Sequence, residues 1–101
     1  MAKGYWIVRV DVTDPEAYKA YVAANAEAFR KFGARFLVRA GKYETVEGIS
    51  RARNVVIEFK DYATALACYR PGEYAAAKAL RAGASSADII VIEGYDGTQP
   101  G

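Results

Sequence analysis

The chain has 101 residues, with 14 Lys and Arg against 12 Asp and Glu, one cysteine and no histidine. That length holds one domain with one modest core, folding to remove about 65% of the surface the unfolded chain exposes. A formal charge of +2 gives no field that favours nucleic acid or an anionic membrane. The lone cysteine excludes an intrachain disulfide, and the lack of histidine excludes a Ser-His-Asp triad, a His-ligated haem and the usual zinc sites.

In chain order, Trp6, Val8, Val10 and Val12 alternate with Tyr5, Ile7, Arg9 and Asp11, a period of two that predicts a strand over Gly4–Val12. Asp14-Pro15 supplies a capping carboxylate and a ring suited to the first helical position. Tyr18, Tyr21, Val22, Asn25, Phe29 and Phe32 then recur at helical spacing up to Gly33. In the next strand Phe36 and Val38 point one way and Arg35, Leu37 and Arg39 the other. Ala40-Gly41 predicts a bulge or bend there, with an extended segment resuming over residues 43–46 and a turn over residues 48–53. Val55, Ile57 and Phe59 alternate with Val56 and Glu58 in a third strand, after which Asp61 repeats the cap.

The second helix carries Tyr62, Leu66 and Tyr69 and meets Arg70-Pro71-Gly72, which breaks or kinks it. A second, alanine-rich piece resumes at Glu73 and closes at Gly83. Residues 88–93, through Ile89, Ile90, Val91 and Ile92, form the least polar strand, a run that implies burial on both sides. Residues 1–95 make one domain, and residues 96–101 are expected to fray. The order β-α-β-β-α-β is the ferredoxin-like arrangement: an α+β fold with a four-stranded antiparallel sheet and its helices on one face. The helices are expected over Trp6, Val8, Val10, Phe36, Val38, Val55, Ile57 and Phe59. The other face, with Tyr5, Ile7, Arg9, Leu37, Arg39, Val56 and Glu58, is too apolar to leave in water, and a symmetric homodimer is its simplest cover. Arg9, Arg39 and Glu58 then need partners, most simply one another.

Gly4-Tyr5-Trp6, Asp14-Pro15-Glu16 with Tyr18, Arg35-Phe36-Leu37-Val38-Arg39 with Gly41, Val56-Ile57-Glu58-Phe59, Glu73-Tyr74 and Ala87-Asp88 taken together resemble one family. It is the uncharacterised bacterial domain-of-unknown-function family 1330, of the dimeric α/β-barrel superfamily. The resemblance implies the ferredoxin-like fold and a homodimer whose sheets face each other, and it implies no reaction. Members usually read Ser-Pro-Glu-Tyr before the last helix, whereas Pro71-Gly72-Glu73-Tyr74 here moves the proline back by one residue.

Eight tyrosines stand out. Tyr18, Tyr21, Tyr62, Tyr69 and Tyr74 line a cleft between helices and sheet, or are core rings with wet hydroxyls, the commoner arrangement. Asn25 interrupts an aromatic and aliphatic helix stripe, as a ligand contact or as a buried amide satisfied by backbone. Arg39 offers a planar fork for a carboxylate, and Glu58 among apolar neighbours is a candidate acid or base. The plainer alternative is an ion pair that fixes the register of a dimer. Arg81 and Asp88 pose the same choice, with a helix-to-strand tether as the plain alternative. Cys68 reads as a small buried filler.

Tyr18, Asn25, Arg39 and Glu58 are therefore the candidate ligand-binding residues. No metal or cofactor is expected, because no Walker loop, Gly-x-Gly-x-x-Gly or calcium loop is present. The functional expectation is a cytoplasmic homodimer that binds a small apolar or aromatic acid. Two alternatives stand beside it: a structural or accessory homodimer without activity, and a cofactor-independent monooxygenase or isomerase-like enzyme. Neither a nucleic acid nor a membrane is expected as partner. RNA binding, which this topology supports elsewhere, lacks its aromatic signature here.

Overall fold

The computed structural model describes residues 2–70 and 72–101. Its elements are β1 (Gly4–Val12), α1 (Pro15–Lys31), β2 (Arg35–Arg39), β3 (Arg53–Phe59), α2 (Tyr62–Tyr69), α3 (Gly72–Leu80) and β4 (Ser85–Glu93). The four strands form one sheet in the order β2-β3-β1-β4, every neighbour antiparallel. The fold is therefore α+β and ferredoxin-like, with its second helix in two pieces.

Both helix starts follow from their caps. The Asp14 carboxylate accepts the Ala17 N–H at 3.2 Å and Asp61 accepts that of Thr64 at 2.8 Å, each satisfying one of the free N–H groups of a first turn. Hydrogen bonds from the Thr64 side chain and backbone hold the Asp61 carboxyl below the ordinary aspartate range. The chain leaves α2 at Arg70 and re-enters a helix at Gly72. The proline on which the expected break turns, Pro71, lies outside the described residues.

The core lies between the sheet and the helices. Trp6, Val10, Val55, Ile57 and Phe59 face Phe29, Ala65, Cys68 and Tyr74, all buried. Trp6 anchors it, its indole N–H donating to the Ala65 carbonyl at 2.8 Å while the Phe29 and Tyr74 rings meet it edge-on. Cys68 is buried, its thiol 3.8 Å from the Ala28 carbonyl, as a small filler would be.

Three expectations along the chain are overturned. The irregularity in β2 is not at Ala40-Gly41 alone: the pairing of β2 with β3 slips between Phe36, opposite Ile57, and Val38, opposite Val56. Leu37 is the extra residue, and Ala40 adds a bend with φ of 55°. Directly opposed residues share a face, so Val38 joins Val56 on the open face and Arg39 joins Val55 on the helix face. Residues 43–46 form no strand. Finally, β4 is not buried on both sides. It is an edge strand of a sheet covered on one face, so Ile90 and Ile92 remain 54% and 47% exposed.

Candidate functional site

The apolar stripe of α1 turns Tyr18, Tyr21, Asn25 and Phe29 toward the sheet. Opposite them β1 presents Trp6 and Val8, β3 presents Arg53, Val55 and Ile57, and the bulged β2 presents Phe36 and Arg39. Between these walls lies a cavity with about 20 Å³ of room, enough for one water-sized group, within about 320 Å³ of atom-free space that is partly open to solvent. Five of its lining side chains are aromatic, two are arginines and none is acidic.

The arginines lie on aromatic rings. The Arg39 guanidinium sits 4.1 Å from the centre of the Phe36 ring and that of Arg53 5.4 Å from the Tyr18 ring, cation–π contacts that steady both side chains. Burial, then Tyr21, push the Tyr18 phenol above its ordinary range, with Arg53 pulling the other way. Deeper in, the Tyr21 and Tyr74 hydroxyls lie 2.8 Å apart, and Arg81 Nη2 donates to the Tyr74 hydroxyl at 3.4 Å. Burial first, then Tyr74, push the Tyr21 phenol far above the usual range, while a hydrogen bond from the Asn25 side chain opposes them. Tyr21 therefore stays a neutral phenol. Asn25 is only 5% exposed, and its Oδ1 has no partner; nor does the buried Nε of Arg53.

Of the expected residues, Tyr18, Asn25 and Arg39 meet around this cavity and Glu58 does not. Glu58 lies on the open face, opposite Tyr5 and Arg35, and accepts the Tyr5 hydroxyl at 3.4 Å. Within the chain the bulge carries Arg39 to the other side of the sheet from Glu58, so the two do not pair there. Arg9 instead approaches Asp88 at 3.7 Å. The Arg81–Asp88 tether is also absent: Asp88 accepts from Arg51 Nε at 2.9 Å, whose Nη1 reaches Asp11 at 2.8 Å, and Arg81 turns to Tyr74. Of the five tyrosines expected around a cleft, Tyr18 and Tyr21 line the cavity, Tyr74 is fully buried behind it, Tyr62 is exposed, and Tyr69 accepts from Lys78 at 2.8 Å.

Arg53 is the residue that the sequence reading passed over as part of a turn. Its signal is the alternation itself, since Arg53 is the next inward position before Val55, Ile57 and Phe59. Among the described residues no group of three His, Cys, Asp or Glu side chains could hold a metal, and no helix is long and apolar enough to cross a membrane.

Solved structures share the fold. A protein of unknown function from Rhodopseudomonas palustris, RPA0582, is 16% identical, with a TM-score of 0.73 over 98% of this chain and 85% of that one. SnoaB, a cofactor-independent oxygenase from Streptomyces nogalater, is 12% identical, with a TM-score of 0.62 over 99% of this chain and 97% of that one. None of the curated proteins matches. The model of a family described as a domain of unknown function, DUF1330, matches residues 3–95, and the chain belongs to that family.

Proposed function

We propose that the protein is a homodimer that binds a small apolar or aromatic acid in the cavity between α1 and the sheet. The observation that carries this reading is the pairing of Arg39 and Arg53 on the lining of an aromatic cavity with no acidic side chain. Two cations held against rings at the edge of an apolar hollow suit a carboxylate whose hydrocarbon part enters it. The same lining offers arginines, phenols and an amide but no carboxylate base. It is suited to holding an anion, which supports a binding role.

The test is thermal unfolding and light scattering of wild type and Arg39→Ala, each with and without a panel of small carboxylic acids. An acid at ten times its Kd adds about 1.4 kcal/mol, a rise of roughly 6–10 °C for a domain of this size. Wild type is expected to show that rise and Arg39→Ala to lose it at unchanged mass. If no acid raises the wild-type melting temperature, the reading fails. If Arg39→Ala lowers the mass, Arg39 serves assembly instead.

A further inference from the structure

We infer that the acid this cavity takes also carries a hydroxyl, so that the site selects hydroxy-substituted aromatic acids over their unsubstituted parents. The inference rests on the acid-binding reading above and adds what the carboxylate alone leaves unmet. Among the described residues three buried side-chain polar atoms lack a partner, and two of them, Asn25 Oδ1 and Arg53 Nε, belong to residues of this one cavity. One is an acceptor carried on α1 and the other a donor carried on β3. Native proteins rarely leave such atoms unpaired, because a buried polar group without a hydrogen bond has lost its water and gained nothing.

The orientation of Asn25 is set from behind. Arg81 donates to Tyr74, Tyr74 shares a hydrogen with Tyr21, and the Asn25 side chain bonds the Tyr21 hydroxyl. Asn25 Oδ1 is left without a partner, and as a carbonyl oxygen it can only accept a hydrogen bond. A carboxylate satisfies the arginines and has no hydrogen for that carbonyl. A hydroxyl has one, and its own oxygen can still accept.

Size points the same way. The cavity's room of about 20 Å³ admits one water-sized group such as a hydroxyl, so a ring has to lie in the part of its atom-free space that is open to solvent.

Isothermal titration calorimetry of the full chain with benzoate, 3-hydroxybenzoate and 4-hydroxybenzoate tests this. At least one hydroxybenzoate is expected to bind wild type about tenfold more tightly than benzoate, the worth of one well-made hydrogen bond. Asn25→Leu, which keeps the branched shape and removes the acceptor, is expected to bring the ratio of hydroxybenzoate to benzoate affinity down to about one. Equal affinities in wild type, or an equal loss of both ligands in Asn25→Leu, overturn the inference while the acid-binding reading stands. Failure of all three to bind overturns the inference and leaves the acid-binding reading to the panel of small acids above. The wild-type comparison decides by itself if Asn25→Leu does not fold.

Discussion

The hydroxyl of Tyr21 lies 2.8 Å from that of Tyr74 with both rings buried. Removing it by Tyr21→Phe leaves the ring packing intact but strips a partner from Tyr74 and from the Asn25 amide, neither of which water can readily replace. The expected loss is about 1.5 kcal/mol in urea unfolding. Tyr69→Phe, which removes the exposed bond from Lys78, is expected to change stability by less than about 0.5 kcal/mol. Equal effects would show that the Tyr21 hydroxyl is solvated after all. The chemistry of these residues was only partly legible in the sequence. The helical spacing of Tyr18, Tyr21 and Asn25 placed them on one buried face, but a hydroxyl pair formed across 53 residues leaves no local trace. The wet hydroxyl expected for Tyr21 is dry for that reason.

At the scale of elements, the most readable features were those governed by neighbours in the chain. The Asp caps, the alternation of β1 and β3 and the interruption after Tyr69 all follow from short-range rules. β2 did not, because a bulge at Leu37 reverses the phase of every later side chain, and nothing in Arg35-Phe36-Leu37-Val38-Arg39 marks it. The misplacement of Arg39 and Val38 is one error with two consequences. Packing of α2 on β1 depends on a residue that composition also hides, Gly4. A Cβ there would overlap the Asp61 carbonyl and lie 2.7 Å from Tyr62 Cα, backbone that cannot swing aside. Gly4→Ala is therefore expected to cost about 2–3 kcal/mol, within the overpacking range. Gly41→Ala, where a Cβ meets nothing within 4 Å, is expected to be neutral or stabilising by up to about 1 kcal/mol. Urea midpoints of the two variants check the contrast, and a Gly4→Ala protein as stable as wild type would mean that α2 does not sit tightly on β1.

For the whole molecule, the open face of the sheet sets the most consequential expectation. Ile90 and Ile92 of β4 and Val38 of β2 stand 54%, 47% and 42% exposed, with Ile7 and Val56 between them in register. A contiguous apolar surface spanning all four strands is more than a soluble monomer usually carries. Under the proposed homodimer a second copy covers it, and a two-fold axis brings the same patch from each protomer together. Ile90→Glu tests this with little risk to the protomer, since that side chain is already half exposed and takes no part in the core. In the dimer two glutamates enter one apolar interface and lose their water, a cost of several kcal/mol. Sedimentation velocity is expected to show wild type at twice the mass of the chain and Ile90→Glu at the mass of one, with unchanged far-ultraviolet circular dichroism. A monomeric wild type would remove the homodimer from the proposed function. A dimeric Ile90→Glu would move the interface off this face. In both cases the cavity between α1 and the sheet, on the opposite side of the sheet from this face, keeps its own test.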